Sequence, residues 1–324
     1  MNRRFALFQA LVSVVALAAV VWWASKQDAP KLPSGGEEIA WLAAALGLYA
    51  VATLLRGERW HWVLKFANVE ARRGDCYGLV TVGYMGNNVL PARAGEALRA
   101  VLMSSRTGAS KRTVIGSIIA ERLLDAIALA VIFVVTVYGV LGAGVLPTNR
   151  PLVVGGIAVL LIAAGVVAVW LMRRHHVFER ARDWLRPLAD APRAMLAREG
   201  AVLLAATFLL WAFEAGVYYA VARSVDLGIS VSGALYLVAL TNFVAALPAA
   251  PGSIGTFDAA VAFGADRLGA SGSAALSYLL MLRFVLYAPI TIVGFIVLVA
   301  RYGGWSRLRS AVRLETGRAG ATSA

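Results

Sequence analysis

Charge is scarce in this chain. Asp, Glu, Lys and Arg make up 15% of its 324 residues, against roughly 25% in a soluble domain. Hydrophobic residues reach 60% and the mean hydropathy is +0.73, which excludes an ordinary soluble helical domain and directs attention to apolar runs of about 20 residues. Cysteine is nearly absent: the single Cys76 excludes an internal disulfide and any cysteine-rich metal centre. Histidine is limited to His61 and the pair His175–His176. All three fall in expected loops or helix ends without partners at ligand spacing, so no metal and no cofactor is expected. Acidic residues number 18 against 31 basic ones, giving a net charge of +13. In a soluble chain that balance points to nucleic acid. In so apolar a chain its simpler cause is the crowding of basic residues in cytoplasmic loops. Such a face attracts anionic lipid headgroups; nucleic acid is not an expected partner.

What the chain has in plenty is long apolar runs. The first, "MNRRFALFQALVSVVALAAVVWWASK", carries an apolar core of about 20 residues that ends at Trp22 and Trp23. A secretory h-region spans only about 7–15 residues, so a retained anchor with interfacial tryptophans is predicted. Six full spans follow from the pattern, at about 5–24, 39–55, 113–141, 151–172, 200–222 and 273–300. Two further segments, 77–105 and 231–268, are apolar but broken at "LPARAG" and "LPAAPG". Interior Pro and Gly open the backbone, which is costly in lipid unless protein or a water-filled cavity covers it. Each segment reads either as one kinked helix or as a hairpin of two half-helices.

Loop charge separates these readings. With a cytoplasmic N-terminus and two re-entrant hairpins, one face collects 24 Lys/Arg and the other 5, while Arg122 and Arg283 stay inside spans. That is a strong positive-inside asymmetry, and a single crossing at either break would collapse it. The prediction is therefore an all-α polytopic protein of the bacterial cytoplasmic (inner) membrane with both termini cytoplasmic. The arrangement also repeats. Residues 1–141 read span, span, broken hairpin, span, and residues 151–300 read the same, followed by a basic tail at 301–324. Three crossings per half would invert the second half relative to the first. Leu90, Pro91 and Gly95 align with Leu247, Pro248 and Gly252. Paired broken helices in inverted repeats are a transporter signature, with the site where the breaks meet.

The breaks and the in-span charges are the candidate site. At the first break, Asn87 and Asn88 can satisfy open backbone or bind a polar ligand. Pro91 and Gly95 let a new half-helix begin, whose free N–H groups favour an anion. Arg93 and Arg99 add charge suited to phosphate, and Glu96 lies three residues from each. Arg93 is expected to reach inward. At the second break, "LPAAPGSIGTFDAAV", Pro251 suits a first turn, Gly252 and Gly255 free the backbone, and Ser253 and Thr256 offer hydroxyls. Asp258 falls in the first turn, where a carboxylate is favoured. In "AERLLDAIALAVIF", Glu121, Arg122 and Asp125 sit within a span. Unpaired, each would cost about 2.5–3.5 kcal/mol on an insertion scale, so they must face the bundle and pair. Arg122 and Asp125 can do so within the helix; Glu121 then needs an outside cation such as Arg93, Arg99 or Arg283. Glu214 is also buried mid-span with Tyr218 one turn on, either serving substrate or proton transfer or paired for structure.

The blocks "NNVLPARAGEALRAVLM", "GSIIAERLLDAIAL" and "LPAAPGSIGTFDAAVAF" resemble the lysylphosphatidylglycerol synthase transmembrane family, the flippase-like membrane domain of the multiple peptide resistance factor. The resemblance covers about residues 5–300. Pro91, Arg93, Gly95, Glu96, Arg99, Glu121, Arg122, Asp125, Pro251, Gly252 and Gly255 match its motif positions. What the family implies is movement of aminoacylated phospholipids or other lipids between leaflets. Two departures stand out: the last block has Ser253 where the family often has Gly, and Asp258 where it often has Glu. The chain also ends at Ala324 after its basic tail, without the soluble aminoacyl-transferase domain, so synthase activity is not an expectation. The leading expectation is a non-enzymatic lipid translocase whose partners are membrane lipids and a separate lipid synthase or glycosyltransferase. The alternatives are a membrane-embedded enzyme acting on lipid phosphates or lipid-linked sugars, and an accessory subunit.

Overall fold

Helix ends follow local chemistry throughout the computed structural model, which describes residues 3–90, 93–145, 198–246, 251–270 and 272–303. Helix α1 (Arg3–Ala24) is followed by α2 (Gly36–Phe66), whose Glu38 carboxylate accepts from the backbone N–H groups of Ser34 and Gly35 at 2.7 and 3.0 Å. Helix α3 (Arg73–Val89) stops just before Pro91, because a residue preceding proline is pushed out of the helical region. Helix α4 (Ala94–Thr107) ends at the left-handed Gly108. Ser110 then caps α5 (Lys111–Val134) by accepting from the Thr113 N–H at 3.1 Å, and a wider turn continues α5 to Leu141. In the second half come α6 (Arg198–Ser224), α7 (Val231–Ala245), α8 (Thr256–Arg267) and α9 (Gly272–Tyr302). No strand occurs among the described residues.

The expected spans coincide with helices wherever the chain is described. Four of these, Gly36–Phe66, Lys111–Leu141, Gly200–Ser224 and Gly272–Tyr302, are long and apolar enough to cross a membrane. The expected span at 151–172 and the break residues Pro91, Leu247 and Pro248 lie outside the described residues, as does most of the tail at 301–324.

In both broken segments the helices on either side of the break pack antiparallel. In α3–α4, Gly86 lies against Gly95 and Gly83 against Arg99, so the register runs in opposite directions. A Cβ on Gly95 would overlap the Gly83 carbonyl and the Asn87 amide. Small residues at these crossings let two backbones touch. In α7–α8, Gly264 lies against Leu237 and Leu240, and Gly233 against Leu268, again antiparallel. The packing between halves pairs off: α2 runs along α6, α3 lies against α9, and α7 against α5.

One core cluster joins α6, α7, α8 and α9 to Ala45 and Tyr49 of α2. The other joins the second half of α2, including the fully buried Trp60, to α3, α4 and the first half of α5. Helix α2 therefore serves both cores, and it is longer than the sequence pattern suggests. Arg56 and Arg59, which follow the expected span at 39–55 and count there among the 24 loop Lys/Arg, lie inside α2 and are 6% and 4% exposed. Each has a carboxylate waiting across an interface, so burial does not leave a bare charge. With Arg99, also 4% exposed, they reduce the loop-charge excess by three.

Candidate functional site

Residues 52–64 of α2 present Ala52, Thr53, Arg56, Arg59, Trp60 and Val63 along one buried stripe, at the helical spacing of three and four. This stripe organises a chain of alternating charge. Arg59 donates to both Asp125 oxygens at 2.6 and 3.2 Å and to Thr207 at 3.0 Å. It also lies 3.7 Å from Glu121. Glu121 accepts from Arg99, whose guanidinium stacks 3.6 Å over the Trp60 ring. At the other end, Asp125 pairs with Arg122 at 3.5 Å, and Arg122 pairs with Glu96 at 3.5 Å. The chain thus starts and ends on α4, at Glu96 and Arg99, and passes through α5 and α2. It fastens the half-helix after the first break to two full helices.

The expected Arg122–Asp125 pair forms, and Glu121 finds its outside cation in Arg99 and Arg59. Arg93 differs from expectation. It caps α4 in the left-handed region, at φ 53° and ψ 35°, and its side chain is exposed rather than turned in toward Glu121. Gly95 explains this: its close contact with Gly83 and Asn87 sets where α4 starts, so the cap residue is left outside. The Asn87 amide oxygen is buried against that contact without a hydrogen-bond partner.

The second break is self-contained. Gly252, Ser253 and Gly255 all have positive φ, at 63°, 49° and 86°, conformations that favour glycine and make Ser253 the strained member. Arg283 of α9 holds this loop. Its guanidinium donates to the Gly252 and Ser253 carbonyls at 2.7 and 3.2 Å and to both Asp258 oxygens at 2.6 and 2.8 Å. It stacks on Tyr287 and Phe257 at 4.3 and 4.8 Å. Asp258 also accepts from the Gly255 N–H at 2.8 Å, and Thr256 donates to the Ser253 carbonyl at 3.2 Å. The first-turn anion of α8 is therefore the protein's own carboxylate. Arg283 belongs to Asp258, not to Glu121.

The two breaks meet. A Cβ on Gly252 would lie 3.5 Å from the Asn88 carbonyl and 3.4 Å from the Tyr287 ring, and the Asn88 amide donates to Thr291 at 2.9 Å. Beside this junction is an open groove of about 640 Å³. Asn88, Asp258, Arg283, Tyr287 and Thr291 give it polar groups; Val89, Ile254, Phe284 and Ile292 give it apolar walls. Those four apolar residues are 43–60% exposed. Neither Arg99 nor Arg122 lines it.

Glu214 stands apart from both breaks. It pairs with Arg56 at 3.0 Å across the α2–α6 interface, with Tyr84 and Trp211 rings at 5.5 and 5.6 Å from that guanidinium. Tyr218 turns away to Thr241 at 2.8 Å. Arg56 and Arg59 were the residues the loop assignment hid, although their spacing with Trp60 and Val63 continues the stripe of the preceding span. Taken together, Arg56, Arg59, Arg99, Arg122 and Arg283 are each matched to a carboxylate among Glu214, Asp125, Glu121, Glu96 and Asp258.

Comparison with known proteins adds a family and two relatives. A family model described as the lysylphosphatidylglycerol synthase TM region matches residues 9–294. A UPF0104 membrane protein of Methanothermobacter thermautotrophicus is 21% identical over 311 residues, covering 88% of this chain and 92% of that protein. Glycosyltransferase AglD of Haloferax volcanii is 29% identical over 134 residues, 41% of this chain. That match spans only 21% of AglD's length.

Proposed function

Because the chain belongs to the family of the lysylphosphatidylglycerol synthase TM region, and is a multi-pass membrane protein, we propose that it moves a lipid headgroup between leaflets. The observation that carries this reading is the groove where the two breaks meet, lined by polar groups and by exposed apolar side chains. A headgroup needs the former and its acyl or prenyl chains the latter. Exposed Arg93, which caps α4 four residues after the groove-lining Val89, offers its charge to the headgroup phosphate. The half-helix N-terminus of α4 adds its positive end. Arg99 and Arg122, matched by carboxylates, position α4 instead of binding the anion.

The pairing of α3 with α9 and of α7 with α5 across α2 and α6 supports the inverted duplication. Alternation of the two halves would then expose the groove to each leaflet in turn. The basic loops support cytoplasmic termini. In this reading the protein is a carrier, not an enzyme, and works beside a separate lipid synthase or glycosyltransferase.

The test is reconstitution in vesicles holding a labelled phospholipid. Wild type should equilibrate the label across leaflets faster than protein-free vesicles, and Ala288→Trp, which fills the groove, should remove the difference. A wild-type rate equal to that of protein-free vesicles sinks the proposal. A second reading rests on the likeness to a stretch of glycosyltransferase AglD: the chain acts as accessory to an enzyme that builds lipid-linked sugars. Loss of sugar transfer in Ala288→Trp cells, with lipid movement intact in vesicles, favours it.

A further inference from the structure

The groove lining has no charge to spare. Asp258 spends Oδ1 on Arg283, and Oδ2 on Arg283 and the Gly255 N–H. Arg283 spends donors on both oxygens and on the carbonyls of Gly252 and Ser253. The pair is neutral as a unit, and Asn88, Thr291 and Tyr287 beside it are uncharged. Arg93, exposed and four residues after the groove-lining Val89, carries a full positive charge. A ligand with a single negative charge is matched there. Among the described lining residues a second negative charge finds no unpaired cation, and an ammonium finds the Asp258 carboxylate already taken by Arg283. An ammonium brought to that carboxylate also meets the like charge of the Arg283 guanidinium.

Hydroxyls meet no such conflict. A hydroxyl both donates and accepts, so it can bridge the remaining lone pairs of Asp258 and the Thr291 hydroxyl. It can also take the N–H that Arg283 has left. The Tyr287 ring, which lines the groove beside the Arg–Asp pair, supplies the apolar face against which a C–H surface of a polyol rests.

Resting on the translocation reading, we propose that the substrate is a phosphodiester lipid whose headgroup beyond the phosphate is an uncharged polyol, such as glycerol or a sugar, and not an aminoacyl group. The phosphate sits at Arg93 and the hydroxyls over Asp258, Arg283 and Thr291.

Native mass spectrometry of the intact protein with four lipids of one acyl composition tests this: phosphatidylglycerol, its lysyl ester, phosphatidic acid and diacylglycerol. Phosphatidylglycerol should bind at least tenfold tighter than the lysyl ester or phosphatidic acid. Thr291→Val should lower its affinity about 3–10-fold, the worth of one hydrogen bond, and leave phosphatidic acid unchanged. Arg93→Ala should weaken all the phospholipids alike. Equal or tighter binding of the lysyl ester, or of phosphatidic acid, overturns the headgroup assignment while leaving lipid translocation standing. If no phospholipid binds better than diacylglycerol, the translocation reading falls as well. The wild-type ranking needs no variant, so a misfolded mutant does not spoil the test.

Discussion

The two breaks do the same job with different fastenings. The first is held from outside. Its half-helix α4 is tied through Glu96 and Arg99 to a run of charges on α5 and α2, with residues 2–9% exposed at the middle of the run. The second is held from one neighbour. Arg283 of α9 takes the Gly252 and Ser253 carbonyls and Asp258 together. The difference teaches which parts move as units. The second break travels with α9 without breaking an ion pair. The first cannot leave α2 and α5 unless several charges lose partners at once. If the halves rock, the α2–α4–α5 assembly is one rigid piece and the Asn88–Gly252 junction is where sliding occurs.

Breaking the first fastening should have the largest effect. Asp125→Ala takes from the buried Arg59 its bidentate partner, leaving it Thr207 and Glu121 at 3.7 Å, and leaves Arg122 to Glu96 alone. Removing one partner of a buried pair costs about 3–5 kcal/mol. Thermal unfolding in detergent should show a large loss, or no folded protein. Arg122→Ala sharpens the point: its side chain is 36% exposed, so its loss should cost only about 1 kcal/mol, as exposed pairs do. Equal losses for the two variants would mean that the buried middle of the run does not hold the break.

Breaking the second fastening should cost less. Asp258→Asn removes the charge but keeps the shape and a hydrogen-bonding side chain. Arg283, with its side chain 19% exposed, keeps its two carbonyl acceptors. The loss should be near that of a hydrogen bond to a charged group, about 1.5–3 kcal/mol, read from the same melting experiment. A loss larger than that of Asp125→Ala would reverse the ranking of the two breaks.

Much of this layout is legible in the sequence, because lipid imposes simple rules. Twenty-residue apolar runs give helices, and Pro91 with Gly95 and the second "LP" with Gly252 give the breaks. Arg122 and Asp125, three apart inside an apolar run, had to pair. What was hidden lies in tertiary contact. Arg56 and Arg59 follow a span end as any loop basic residues would, and only Glu214 and Asp125 on other helices make their burial possible. Arg93 and Arg99 look alike in "PARAGEALR". The close contact of Gly95 with Gly83 and Asn87 sends one out and the other, one and a half turns on, into the charge run over Trp60. Composition cannot reveal that, because it depends on how near two backbones come.

The smallest expected effect is a coupling near zero, and it is the sharpest test of the contrast. Arg99→Lys weakens the first fastening and Asp258→Asn the second. The two sites share no ion-pair partner, since Glu121 serves Arg99 and Arg283 serves Asp258. Changes without shared partners usually add within about 0.5 kcal/mol, so the double variant should melt where the sum of the singles places it. Adding Asn88→Ala, which removes the bond to Thr291, should introduce a non-additive term with either variant if the junction links the breaks. Strong non-additivity between Arg99→Lys and Asp258→Asn alone would mean that the fastenings form one network, and that the two hairpins move together.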